Sequence, residues 1–254
     1  MAERGFAIGE DGTGAWVSAD DVDALLARAT IVACEMIPWS SNYTFAARLA
    51  LPGQPDFLAV YKPRRGESPL YDFPDGTLYK RERAAYVLSE ALGWDFIPPT
   101  IIREGPHGIG SIQLFIEPEP RADFFRFKDH YRRELQRIAL FDVIANNADR
   151  KAGHCLKARD GKIWGIDHGL TFNVAPKLRT VLWDYAGDPI PAALLGQLRE
   201  LRRNPARSGT LRTELGQLLT REEVDVLFKR VDLVLEHRHY PSATSRRSVP
   251  WPWF

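Results

Sequence analysis

Two carboxylate-bearing turns constrain this chain more than any other feature: Asn146-Asn147-Ala148-Asp149-Arg150, and Asp167-His168-Gly169 eighteen residues on from Asp149. Tyr131, Leu135, Ile138, Asp142 and Ala145 recur at helical spacing ahead of the first turn, so the Asn pair marks a helix end. Between the turns lie two apolar, strand-like pieces, around Cys155-Leu156 and from Ile163 to Ile166, joined by Asp160-Gly161. An Asp-Gly turn between such pieces predicts a hairpin. The hairpin brings Asp149 and Asp167 into one place, at the end of a helix and the end of a strand.

At 254 residues the chain holds one sizeable core or two small lobes sharing a cleft. Its first half reads as β. Ile31 to Ile37, Tyr43 to Leu51 and Phe57 to Lys62 form a predicted antiparallel meander, with Pro52-Gly53-Gln54-Pro55-Asp56 as a turn. A short amphipathic helix carrying Val22, Leu25, Leu26 and Ala29 precedes it behind a Ser18/Asp21 capping box, and the residues before that helix are expected to be loose. Arg64 to Gly76 reads as a loop. Leu78, Ala85, Leu88 and Leu92 then form a helical stripe stopped by Gly93. Thr100 to Arg103 and Ser111 to Ile116 are strands flanking a glycine-rich hairpin loop, Gly105 to Gly110, before Glu117-Pro118-Glu119-Pro120 interrupts regular structure. The second half reads as mainly helical, with helices over Ala192 to Arg203 and Arg221 to His237, the latter capped by Thr220 and Glu223. These boundaries divide the chain into an extension (1–30), a β lobe (31–117), a helical lobe (118–241) and a Pro/Trp-rich tail (242–254) whose aromatics are expected to dock.

Composition removes several function classes. Thirty-four basic residues against 33 acidic ones supply no field for nucleic acid, and Arg246-Arg247 is too short a basic run to make a site. The opening MAERGFAIGEDGTG lacks the apolar run of a secretory signal, and no later stretch approaches the ~18 apolar residues of a membrane span. A cytoplasmic protein with no integral membrane contact is expected. Cys34 and Cys155 belong to no CxxC pair and read as buried thiols. Gly105 to Gly110 opens no helix, which removes a dinucleotide-binding reading.

Phosphoryl transfer from ATP needs a cation on the phosphates, acidic metal ligands and a carboxylate that positions the attacking hydroxyl. Lys62 ends the apolar strand Phe57-Leu58-Ala59-Val60-Tyr61, and Glu82 in the next helix is its candidate ion-pair partner. Taken singly, a strand-end lysine is usually solvated and a helix glutamate usually faces water. Asp149 is the candidate that orients the hydroxyl, Asp167 the candidate ligand of Mg²⁺ or Mn²⁺, and His154, five residues after Asp149, a second candidate ligand. The alternative makes Asp149 and Asp167 turn residues and His154 a hydrogen-bonded core histidine.

Phe141-Asp142-Val143-Ile144-Ala145-Asn146-Asn147-Ala148-Asp149-Arg150 and Ile166-Asp167-His168-Gly169-Leu170-Thr171-Phe172 resemble the catalytic and metal-binding loops of phosphatidylinositol 3- and 4-kinases, most closely the type II 4-kinases. More distantly the pattern is similar to HipA-type bacterial serine kinases. Ala59-Val60-Tyr61-Lys62-Pro63 resembles the nucleotide-binding strand of these kinases, and Glu82-Arg83-Ala84-Ala85-Tyr86 its paired helix. The loop Tyr71-Asp72-Phe73-Pro74-Asp75-Gly76-Thr77-Leu78 and the Pro-Trp-rich ending resemble a small actinobacterial branch. The resemblance implies an α+β, two-lobed, protein-kinase-like fold, with an antiparallel β N-lobe, one key helix and a mainly helical C-lobe. It implies Lys62 on the phosphates of ATP, Glu82 holding Lys62, Asp149 as catalytic aspartate and Asp167 as metal ligand. It places the hinge at Gln113-Leu114-Phe115-Ile116 and the phosphate-covering turn at Pro38 to Tyr43, where Ser40, Ser41 and Asn42 stand in place of glycine. His154 replaces a usual metal-binding Asn, and imidazole shifts the expected metal toward Mn²⁺. The expected activity is transfer of the γ-phosphate to a small soluble polyol, cyclitol or sugar. A protein Ser/Thr kinase, a nucleotide-binding pseudokinase and a nucleotidyltransferase are the alternatives.

Overall fold

The computed structural model describes residues 5–7, 16–38, 42–243 and 245–254, so the predicted phosphate contacts Ser40 and Ser41 lie outside the described residues. The chain divides into two compact units, one formed by residues up to Arg83 with Pro98–Glu117, the other by Ala84–Ile97 with Pro118–Phe254.

In the first unit, the segment ahead of the opening helix contains an antiparallel pair, β1 (Gly5–Ala7) and β2 (Trp16–Ser18), where loose chain was expected. Helix α1 (Ala19–Arg28) follows, then β3 (Thr30–Met36), β4 (Phe45–Ala50) and β5 (Phe57–Pro63), the expected meander. With β6 (Thr100–Gly105) and β7 (Gly108–Leu114) they make a five-stranded antiparallel sheet in the order β3-β4-β5-β7-β6. Side chains alternate across a strand. Phe57, Ala59 and Tyr61 therefore join Ala47, Leu49, Ile112, Leu114 and the α1 residues Val22, Leu25, Leu26 and Ala29 in one core. Lys62, with its register partner Ser111, falls on the opposite face.

The glycine-rich loop is shorter than expected. Gly105 pairs with Gly108, so β6 and β7 run through most of the predicted loop and the turn is Pro106-His107. Close packing is the reason for glycine at 110: a Cβ there would lie 2.4 Å from the Lys62 carbonyl oxygen.

Helix α2 (Leu78–Leu92) begins in the first unit and continues in the second, the division falling after Arg83. Its first turn is capped by Glu67, whose Oε1 accepts the Tyr79 N–H at 2.8 Å, and Gly93 ends it at φ +66°. The second unit continues with α3 (Phe124–Phe127), α4 (Arg132–Ala145), the hairpin β8 (Cys155–Lys157) and β9 (Ile163–Gly165), and helices α5 (Ala192–Arg203), α6 (Pro205–Gly216) and α7 (Arg221–His237). Leu135, Ile138, Phe141 and Ile144 of α4 and Leu227, Phe228 and Val231 of α7 belong to its core. Each such side chain contributes about 1.5–3 kcal/mol by burial. The α7 capping box is present, and α6, which no apolar stripe announces, starts on an Asn204 cap followed by Pro205. Cys155 is buried, and burial pushes its thiol up to about 12, whereas Cys34 is only partly buried; both are free.

Candidate active site

Lys62 and Glu82 meet. The Lys62 Nζ is hydrogen-bonded to Glu82 Oε1, with the carboxylate nearly buried and 24% of the lysine side chain exposed. Period-2 alternation aims Lys62 away from the α1 core, and the capped α2 presents Glu82 to it. Among the other predicted nucleotide contacts of this unit, Gln113 is buried and donates from Nε2 to Thr100 Oγ1 at 2.7 Å, so its amide serves the sheet. Leu114 lies in the α1 core, on the opposite face to Lys62, and Ile116 packs against that core. The backbone N–H groups of Leu114 and Phe115 donate to Pro99 and Leu58 carbonyls at 2.9 and 3.1 Å. Only the Phe115 side chain of this group is exposed, at 39%. Asn42 accepts the Ser68 N–H on Oδ1 at 2.8 Å, tying its turn to the loop after β5.

In the second unit, α4 ends at Asn146 in the left-handed conformation (φ 52°), which Asn tolerates at such a cap. Asn146 Nδ2 donates to the carbonyls of Asn173 and Ala175 at 2.8 and 2.7 Å, and its Oδ1 accepts the Lys177 N–H. Asn147 donates to Asp142 Oδ1 and accepts the Asp149 N–H at 3.0 Å. The first Asn thus holds the chain after Phe172, and the second shapes the turn that presents Asp149.

Arg150 is fully buried. Its Nε and Nη2 grip the buried Asp142 carboxylate at 3.0 Å, Nη1 donates to the Ile166 carbonyl at 2.7 Å, and Nη2 lies 2.7 Å from His168 Nε2. This guanidinium joins the end of α4 to the residue before Asp167. Asp142, Arg150 and His168 were missed as positioning residues in the sequence. The available signal was Asp142 among the apolar residues of α4 and an arginine just past the end of that helix.

Asp149 has a pKa pushed up to about 6. Burial is the largest cause; Lys151, whose Nζ is 3.4 Å from Oδ2, opposes it, and the Asp167 charge adds to it. Asp167 sits at φ +59° and Phe172 at φ +64°, conformations that cost a non-glycine residue roughly 1–3 kcal/mol and concentrate where function over-determines the backbone. Asp167 Oδ2 lies 3.3 Å from His154 Nε2, while His154 Nδ1 accepts the Lys151 N–H at 3.4 Å. The structure therefore brings Asp167 and His154 together, with Asp149 near enough to feel the Asp167 charge. Among the described residues, no group of three or more His, Cys, Asp or Glu side chains is placed to hold a metal ion. Asp167 and His154 are the side chains here that could serve as ligands to a divalent ion, with phosphate oxygens and water completing its shell.

The sequence profile of the phosphatidylinositol 3- and 4-kinases matches residues 81–226, which include Glu82, Asp149, His154 and Asp167. The chain is 38% identical to the Mycobacterium tuberculosis protein Rv2133c over 92% of its own length and 96% of that protein. It is 33% identical to the phosphatidylinositol 4-kinase gamma 4 of Oryza sativa over 35% of this chain, which is 19% of that longer protein. In fold it is similar to hydra Fam20, solved with sugar, at a TM-score of 0.58 and 16% identity over 85% of this chain and 87% of that one. The Golgi casein kinase solved with Mn/ADP superposes at 0.54 and 14% identity, over 86% and 74%. The α+β, two-lobed architecture is thus a kinase-like fold. Among the described residues, no helix is long and apolar enough to cross a membrane.

Proposed function

The chain belongs to the phosphatidylinositol 3- and 4-kinase family and is a phosphotransferase, and on that premise we propose that it moves the γ-phosphate of ATP to a hydroxyl of a small soluble cyclitol, polyol or sugar. The observation that carries this reading is the placement of Asp149: Asn147 holds it in its turn, the next residue is the buried Arg150 that grips the Ile166 carbonyl ahead of Asp167, and burial raises its pKa to about 6. A base of that strength is ionised at neutral pH and still accepts a hydroxyl proton readily. Asp149 orients the acceptor oxygen and takes its proton. Lys62, fixed by Glu82, neutralises phosphate charge from the end of β5. Phe115 and the backbone around Ile116 offer the adenine contact, and the turn around Asn42 covers the phosphates. Asp167 and His154 would hold the divalent ion, and their mixed oxygen and nitrogen donors would suit Mn²⁺ better than Mg²⁺. Bound there, the metal supplies electrostatic stabilisation of the transferring phosphoryl group. A small soluble acceptor is favoured over a lipid because the chain is short and its sequence offers no obvious lipid-docking patch.

The test is label transfer from [γ-³²P]ATP with Mn²⁺ or Mg²⁺ into pooled polyols and sugars, and separately into protein extract. Asp149→Asn is expected to lower the rate about 10²–10⁴-fold. Label only in protein would make it a protein kinase. Label from the α-phosphate would make it a nucleotidyltransferase, and nucleotide binding without any transfer would make it a pseudokinase.

A further inference from the structure

We infer that residues 245–253 form a strap that positions the catalytic loop, with Trp253 as its principal positioning residue. This inference rests on the roles proposed for Asp149 and His154. The strap has an anchor point on the turn that carries His154 and another on the segment paired with Arg150. At one, the Trp253 carbonyl accepts the Ala152 N–H at 2.9 Å. Ala152 is buried and opens the 3₁₀ turn Ala152–His154, so this bond holds the turn from which the His154 ring projects. The Trp253 indole packs edge-on against Phe125, with ring centroids 5.3 Å apart at 71°, which fixes the carbonyl in place.

At the other anchor, the Ser248 carbonyl accepts two donors, the Thr180 N–H at 3.0 Å and the Trp183 Nε1–H at 2.9 Å. Thr180 is bridged to Arg150: the Arg150 N–H donates to the Arg179 carbonyl, and the Val181 N–H to the Arg150 carbonyl. Thr180 Oγ1 also reaches Asp142 Oδ2 at 3.3 Å. One anchor therefore bears on the turn ending at His154 and the other on the Arg150–Asp142 pair beside Asp149. Local structure prepares the strap to do this. Ser245 and Ser248 cap the 3₁₀ turn Arg246–Ser248 reciprocally, and Pro250 and Pro252 restrict the chain between the anchors, lowering the entropy lost on docking. Trp251 and Phe254 are 85% and 73% exposed, so the anchoring falls to Trp253 and Ser248.

The experiment uses the full chain with Trp253→Ala, Trp253→Phe and Trp183→Phe, read by amide hydrogen exchange over residues 150–156 and 178–183 and by kinetics titrated with Mn²⁺. An edge-to-face aromatic contact of this kind corresponds to about a threefold to tenfold effect. Trp253→Ala is expected to speed exchange at Ala152 and raise half-saturating Mn²⁺ by that factor, with the KM for ATP within about twofold; Trp253→Phe recovers most of the loss. Exchange and Mn²⁺ dependence unchanged in Trp253→Ala would overturn the strap. If that variant does not fold, Trp183→Phe decides: it removes one donor from Ser248, and unchanged exchange at Thr180 refutes the second anchor and with it the strap. Full activity in Asp149→Asn would instead defeat the catalytic reading, while the exchange measurements would still judge the strap.

Discussion

Each unit has an ion pair among its candidate site residues, and the two pairs are built differently. Lys62–Glu82 joins a strand end to α2 with about a quarter of the lysine side chain still exposed to solvent. Arg150–Asp142 is buried at both ends, and its guanidinium is committed to a carboxylate, two backbone carbonyls and a histidine. A charge whose hydrogen bonds are all spent inside the protein cannot act on substrate; it can only hold others in place. The carboxylates proposed for the chemistry, Asp149 and Asp167, are neighbours of the saturated pair in the chain and not members of it.

The strongest way to break this contrast is Arg150→Met, which leaves Asp142 charged and buried without its main partner. It is expected to lose about 3–5 kcal/mol in urea unfolding. A loss under about 1 kcal/mol would mean that Arg150 does not organise the loop. Next in size is the pH response of Asp149. Its folded-state pKa stands at about 6 against an ordinary 3.8, so the folded protein binds this proton more tightly than the unfolded chain and loses stability as pH rises from about 4 through 6. Asp149→Asn removes that penalty. The variant should be the more stable form at pH 7.5, by at most about 3 kcal/mol and less after solvent screening, with the gap closing by pH 4. Wild-type transfer should correspondingly rise with pH through about 6. A rate that is flat from pH 5 to 8 would count against Asp149 as the base.

A smaller effect is expected at Gly165, one residue before the carbonyl that Arg150 holds. A Cβ there would lie 2.8 Å from the Phe96 ring, so Gly165→Ala should cost about 1–3 kcal/mol by displacing β9 or the ring, seen as a lower Tm. Lys62→Met should cost no more than this, about 1–2 kcal/mol, because it strips a partner from the nearly buried Glu82 carboxylate although the lysine end is a quarter exposed. Its nucleotide affinity should nonetheless fall, measured by calorimetric titration with ADP. Stability and binding would then separate in the first unit as they cannot for Arg150 in the second.

Much of this could be read from residue order. The meander, α2 with its Gly93 stop, the end of α4 at Asn146, the Asp160-Gly161 hairpin and the α7 capping box all follow from spacing and caps, which act over a few residues. The Lys62–Glu82 pairing was legible because alternation and a helix stripe each set one side-chain direction. Less was legible where packing outvoted local pattern. Gly105 to Gly110 looked like a loop, but Gly110 is glycine to let β7 approach the Lys62 carbonyl, and Leu114 turns into the α1 core, away from Lys62. Gln113, in the predicted hinge, spends its amide on Thr100, a bond between neighbouring strands that residue order does not announce.

By itself, then, the sequence determined where helices and turns begin and end, and the order of Lys62, Glu82, Asp149, His154 and Asp167 along the chain, because those depend on neighbours within a turn or a strand. Tertiary structure alone decided that Arg150 would be buried against Asp142 and Ile166, that Asp149 would be raised to about 6, and that Trp253 would reach Ala152. Burial, desolvation and hydrogen bonds between residues a hundred positions apart exist only once a unit has packed its own core.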